Sequence, residues 1–206
     1  MVEKKHKVKL TKLISTFKEA EKQLKHSEHD TNNLSIPSIN QMRYVAYHLV
    51  ESFEHEDDKS IEEEIEKATN HAQRARYDAV EIGILYYLEQ IKIFQEKYSE
   101  YTETLTILPN YIDHLTKAQA ASDKLQLIKE EEKEREDYYQ AIVPSYQELK
   151  EVSTTMQNSI PLINKKIEEN NEIRIRENRR FAIKIGLTIL GILITATVAV
   201  LKLGLV

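Results

Sequence analysis

The sequence predicts an all-α protein: a cytoplasmic bundle of long helices carrying one C-terminal transmembrane helix. Three observations predict it. Glycine and proline are scarce, at four each in 206 residues, so few positions interrupt a helix. Charged residues make up 31% of the chain and alternate with Leu, Ile and Ala at spacings of three and four, the period of amphipathic helices. The end of the chain, FAIKIGLTILGILITATVAVLKLGLV, has no ionisable group between Lys184 and Lys202. The chain therefore divides into a helical bundle with a basic end over 1–180 and a transmembrane helix with a short tail over 181–206.

The elements follow in order. Leu10, Leu13, Ile14, Phe17, Ala20 and Leu24 recur at helical spacing and predict a first helix over about 8–26. Residues 27–38 are polar and include Pro37, which reads as a loop. Ile39, Met42, Val45, Ala46, Leu49, Val50 and Phe53 mark a short second helix. Ser60 with Glu63 reads as a capping box that starts a third, which nothing breaks before Pro109. Its seam of Ile61, Ile65, Ala68, Ala72, Ala75, Ala79, Ile82 and Tyr86 is rich in alanine, so neighbouring helices can approach closely. Its second half, 80–94, is apolar on nearly every side and should be the most buried part of the bundle. A fourth helix is predicted over about 110–141, a fifth after Pro144, and a last one opened or kinked by Pro161.

The apolar end sets the location. About 17 residues rising ~1.5 Å each span roughly 26 Å, slightly under the ~30 Å hydrocarbon core, and the flanking lysines extend that by snorkelling. Lys165, Lys166, Arg174, Arg176, Arg179 and Arg180 lie upstream, against Lys202 alone downstream. That excess keeps the N-terminal part in the cytoplasm, giving a single-pass protein of the cell membrane. The start, MVEKKHKVKL, lacks the apolar stretch of a cleaved signal. Cysteine is absent, which excludes disulfides, thiolate metal sites and thiol nucleophiles. The net charge of −5 conceals a basic start, a basic end and acidic runs at 54–66 and 130–137. Lys4, Lys5, Lys7, Lys9 and Lys12 suit the anionic inner leaflet, whereas 10–24 reads as an ordinary bundle helix.

Few constellations carry chemistry. There is no H-E-x-x-H pair, Gly-rich phosphate loop or nucleophile elbow, and the acidic runs read as solvated helix faces. No metal, cofactor or catalytic residue is expected. The densest polar cluster is HAQRARYDAVE, with His71, Arg74, Asp78 and Glu81; the second helix adds RYVAYH, with Arg43, Tyr44, Tyr47 and His48. If the two helices pair, Arg43, Tyr47, His48, His71 and Arg74 converge into a site able to bind a phosphate and stack a base. The plainer alternative is a salt-bridged helix boundary with half-buried tyrosines. In the membrane segment, Lys184, Thr188, Gly191, Thr195, Ala199 and Lys202 form one stripe of polar and small residues. Such a stripe reads as chance sorting in a plain anchor, as a packing seam without conduction, or as the lining of a narrow pore between subunits.

RYVAYH resembles the R-x4-H pattern of HEPN-type ribonucleases, small helical proteins common in bacterial defence. That resemblance implies a membrane-tethered ribonuclease dependent on His48, although five residues at ~100° each leave Arg43 and His48 roughly 140° apart. In size, helix content and tail anchor, the chain resembles the transmembrane effectors of bacterial anti-phage systems, the Hailong type among them. This resemblance implies a homo-oligomeric, non-enzymatic channel restrained by a single-stranded oligonucleotide or nucleotide ligand made by a partner nucleotidyltransferase. The basic-aromatic cluster would then hold the ligand. A coiled-coil membrane tether is the remaining alternative.

Overall fold

The computed structural model describes residues 6–130 and 135–202, with side chains over 6–126 and 141–199. Lys4, Lys5, the side chains of the acidic run at 130–137 and the side chain of Lys202 lie outside these described residues. The described residues form six helices and no strand: α1 (Lys7–Thr31), α2 (Ile36–Ser52), α3 (Asp58–Tyr98), α4 (Thr102–Ile107), α5 (Tyr111–Glu130) and α6 (Arg135–Lys202). The protein is all-α, as its composition predicts. It forms two compact units, one of residues 1–99 and 110–157, the other of 100–109 and 158–206.

In the first unit, α3 is the central helix, flanked by α1 and α2 and touched by α5. The alanines of its seam, Ala68, Ala72, Ala75 and Ala79, are fully buried, and the absence of larger side chains there lets its neighbours close in. Leu13 of α1, Val45 of α2 and Ile65 with Ala68 and Ala72 of α3 form one apolar cluster, with Leu10, Phe17, Leu49 and Ile61 at its edge. The second half of α3 buries Val80, Ile84, Ile91 and Phe94, while Leu85 and Ile93 remain half exposed. In the second unit, Thr104, Leu108 and Ile163 are buried, and Asn170 donates to Glu103 at 2.7 Å, fixing α4 on α6.

Several helix ends differ from the sequence expectation. α1 continues five residues past 26 and stops at Asn32, whose φ of 53° is left-handed and ends the helix. Its last turn persists because Ser27 and Thr31 are buried and the Thr31 hydroxyl donates to the Ser27 carbonyl at 2.8 Å. Pro37 is not in the loop but at the start of α2, where its missing N–H costs no hydrogen bond. α3 is capped by Asp57, not Ser60: Asp57 Oδ1 accepts from the Ser60 amide at 2.8 Å. α3 ends at Tyr98 and does not reach Pro109, because Tyr101 turns extended at ψ 121° and Thr102 starts a new short helix. Ser and Thr recur through 99–106, where their hydroxyls compete for backbone groups and weaken a continuing helix.

The fourth predicted helix does not run to residue 141, and neither Pro144 nor Pro161 starts a helix. α6 passes through both. Buried residues stand on each side, Ile142 and Tyr146 around Pro144 and Ser159 and Ile163 around Pro161, so packing overrides the ~3 kcal/mol that an interior proline costs. The boundary between the two units falls after residue 157, whose carbonyl is the one Pro161 leaves without its amide partner.

α6 is long and apolar enough to cross a membrane, judged by length and composition. Every described side chain from 168 to 199 is exposed, so none of the described residues covers its apolar end.

Candidate functional site

Two helices build the cluster that the sequence singles out. α2 offers His48 and Tyr44 toward α3, because Val45 and Leu49 beside them pack into the apolar cluster and fix the helix rotation. α3 presents His71 next to the buried Ala68 and Ala72. The two imidazoles stack at 5.1 Å between ring centroids and 15° between planes, and Tyr44 stacks on His71 at 5.1 Å. Tyr47 meets His48 edge-on at 5.2 Å.

Each imidazole is oriented by a separate partner. His48 Nδ1 lies 2.6 Å from Glu64 Oε2, with both side chains largely buried. An ionised carboxylate only accepts, so His48 Nδ1 carries the proton and donates. Glu64 is held below the usual carboxylate range, first by Lys67 at 2.6 Å and then by His48. His71 Nδ1 lies 2.7 Å from Gln41 Oε1 and donates in the same sense. Both rings are thus held through Nδ1. Burial, followed by the His48 and Arg74 charges, lowers the pKa of His71, which keeps that ring neutral. With His71 neutral, the stack avoids placing two imidazolium charges 5.1 Å apart.

The five sequence-predicted residues are only partly brought together. His48 and His71 are in contact through their rings, and Tyr47 touches His48. Arg43 is exposed, with its guanidinium carbon 5.5 Å from the Tyr44 ring centroid. Arg74 is exposed and close enough to His71 for its charge to act on that ring. Neither arginine is paired with a carboxylate among the described residues, whereas Arg76 on the same helix binds Glu19 at 2.9 Å. Tyr47 has its pKa raised, chiefly by a hydrogen bond to Glu51. For the R-x4-H pair, the structure sends Arg43 to the Tyr44 ring and His48 to Glu64.

Glu64 and Gln41 are the positioning residues that sequence reasoning missed. Glu64 belongs to EEEIE, read as a solvated face, yet it is only 8% exposed. Glu62 is also engaged, binding Lys9 at 2.9 Å, so Lys9 serves an α1–α3 ion pair. A further open cleft of about 510 Å³ between α3 and α5, lined by Ile91, Lys92, Gln95, Leu115 and Gln119, contains none of the predicted site residues.

A second polar node lies in the same unit. Asp30, which the sequence places in a loop, has its carboxylate 8% exposed and accepts from Tyr87 Oη at 2.6 Å, Tyr146 Oη at 2.7 Å and Lys150 Nζ at 2.7 Å. Burial alone would push this carboxyl up, but the hydrogen bonds from Lys150, Tyr87 and Tyr146 outweigh it and hold it well below the usual range. Burial, followed by Asp30, pushes both phenols upward. Tyr146 crosses α3 at Gly83, where a Cβ would overlap its Cε2 and come within 2.7 Å of Cδ2. This clasp joins α1, α3 and α6.

On the membrane stripe, Thr188 donates to the Lys184 carbonyl at 2.9 Å and Thr195 to the Gly191 carbonyl at 2.8 Å. A Cβ at Gly191 would meet nothing within 4 Å, and Ala199 is exposed. Lys202 is in the last turn of α6, with its side chain outside the described residues. No protein family, characterised protein or solved structure matches the chain.

Proposed function

We propose that this protein is a membrane-anchored, homo-oligomeric effector. Its C-terminal helices assemble in the membrane to form a channel or disrupt the bilayer, and its cytoplasmic helical domain receives the ligand or partner that controls them. One observation carries the reading: among the described residues the apolar end of α6 is exposed on every side, and its polar and small residues, Gly186, Ala196 and Thr197 excepted, lie on one stripe. Lipid accounts for the apolar sides. A neighbouring copy accounts for the stripe, since small residues allow close helix approach.

The threonine hydroxyls on the stripe already bond to their own helix, so they present compact surfaces rather than unsatisfied donors. The stacked histidines, with two exposed arginines that pair with no carboxylate among the described residues, support a phosphate-bearing ligand such as an oligonucleotide or nucleotide. A partner nucleotidyltransferase would supply it, and anti-phage defence is the setting that the organisational resemblance implies. The upstream basic residues, among them Arg179 and Arg180, support a cytoplasmic domain.

The test is expression of the whole chain without its restraining partner. The wild type should depolarise or kill cells, and Gly191→Leu should relieve that toxicity at equal membrane abundance. A foreign, featureless apolar helix in place of 185–201 that retains full toxicity would reduce the segment to an anchor.

A further inference from the structure

α2 has two apolar faces, and the described residues of the chain pack on only one. Val45, with Leu49 beside it, packs against α3. On the other side Ile36, Ile39, Tyr47, Val50 and Phe53 are 57, 37, 55, 60 and 75% exposed. Arg43 and Ala46 are exposed on the same face. At ~100° per residue all seven fall within an arc of about 120° running the length of the helix. The outward face of α1, by contrast, carries Lys12, Lys18, Glu19, Lys22 and Lys25.

Two further observations identify what covers this face. The first is area. Taking ~200 Å² for a whole aromatic side chain and ~100 Å² for an aliphatic one, the five exposed side chains offer roughly 400 Å² of apolar surface. A standard protein interface takes about 800 Å² from each partner, somewhat over half of it apolar. The face therefore comes close to the apolar share of one stable interface, with a composition of aromatic residues and a single arginine that suits an interface centre.

The second is charge. α2 has no acidic residue in its first turn and no basic residue in its last, while Glu51 and Glu54 stand at its C-terminal end. Those carboxylates oppose the dipole of their own helix. Beside an antiparallel copy of α2, each would lie near the positive end of its partner.

We propose that a second copy of this chain covers this face, with α2 packed antiparallel on α2 about a two-fold axis passing near Arg43. In that register Ile36 lies across from Val50 and Ile39 across from Tyr47. Arg43 leans toward Tyr44, off the centre of the face, so the two guanidinium groups need not meet. The surface lies outside the membrane segment and is independent of the stripe in α6. It goes beyond the proposed function by locating self-association in the helical domain.

The absence of cysteine makes the test direct, since only introduced thiols can react. Full-length Ile36→Cys and Val50→Cys chains, carrying different tags, are co-expressed in membranes and oxidised. The expected result is a mixed-tag covalent dimer at least tenfold above that of either variant alone, and none from a Lys22→Cys control. Tyr47→Glu should abolish the cross-link while helical circular dichroism is unchanged, and the cross-link should persist with Gly191→Leu in the same chain. Strong cross-linking of each variant with itself but not in the mixture would mean a parallel pair and overturn the proposal. So would a mixed yield no higher than the control, insensitivity to Tyr47→Glu, or loss with Gly191→Leu. Protection of the Val50→Cys thiol from a water-soluble maleimide by lipid vesicles, at a dilution that eliminates the cross-link, would assign the face to lipid and overturn it too. Failure of this test leaves the toxicity assay of the membrane segment unaffected, so the two readings fail separately.

Discussion

Asp30→Ala should be among the most destabilising single substitutions in the helical domain, because it removes the acceptor shared by Tyr87, Tyr146 and Lys150. Tyr87 and Tyr146 are 6 and 7% exposed, so their hydroxyls lose a charged acceptor at ~1.5–3 kcal/mol each, partly recovered by water entering the vacated space. Lys150 has a side chain 39% exposed and regains water, so its share is that of a surface pair, ~1 kcal/mol or less. The expected loss is about 3–4 kcal/mol. Tyr87→Phe and Tyr146→Phe should each cost ~1.5–2 kcal/mol in the wild type and almost nothing when Asp30 is already alanine, since the bond they remove is then absent. The measurement is chemical denaturation of the full chain in micelles, followed by helical circular dichroism. A change within ~0.5 kcal/mol for Asp30→Ala, the level of ordinary surface substitutions, would refute the clasp.

The clasp also fixes a pH window. Asp30 has a folded pKa below its unfolded value of 3.8, so its contribution is complete above that value and is lost as pH falls through and below it. Tyr87 and Tyr146 have folded pKa values above the usual 10.0, so their contribution is complete below that value and is lost as pH rises beyond it. The stability advantage of the wild type over Asp30→Asn should therefore be flat between about pH 5 and 10 and shrink on the acid side. An advantage that grows on acidification would contradict the assignment.

Gly83→Ala should destabilise by about 1–2 kcal/mol despite gaining helix propensity, because the new methyl overlaps a Tyr146 ring pinned by Asp30; in a Tyr146→Ala background the same change should become neutral or stabilising. His71 has a lowered pKa, so stability should fall as pH drops below 6.5, and His71→Gln should flatten that slope in denaturation midpoints taken from pH 7.5 to 5. Protease added to intact cells should leave the domain at 1–180 whole and should digest it once the cells are opened; an externally accessible N-terminal tag would reverse the orientation.

The helices themselves were legible because periodicity is a local property: Leu10 to Leu24, the alanine seam and the apolar tail each announce a helix without reference to anything distant. Their ends were not. Asp57 does not stand out as a cap in the sequence because Ser60 and Glu63 form an equally good local pattern, and only the geometry chooses between them. Pro144 and Pro161 look like boundaries to any local rule. They became interior because Ile142, Tyr146, Ser159 and Ile163 hold the backbone from both sides. Asp30 reads as loop in the sequence because nothing nearby shows that its partners lie at 87, 146 and 150.

The candidate site divides along the same line. Residue types and local density pointed to His48 and His71, and the two rings do stack across the α2–α3 boundary. Their orienting partners were invisible. Glu64 sits in a run of four acids within five residues, where composition indicates solvent, and its burial follows from its place one turn before Ala68 on the face that α2 covers. The same rotation of α2 that turns His48 inward toward Glu64 turns Tyr47 and Val50 outward. A helix of 17 residues that is apolar on both sides therefore places a polar cluster on its inner flank and an uncovered surface on its outer one. Changes at the outer surface and at the histidine pair should consequently be coupled through the rotation of one helix. Tyr47→Ala, which contacts His48 edge-on, should shift the His48 and His71 ring resonances together, whereas Phe53→Ala at the far end should leave both unmoved.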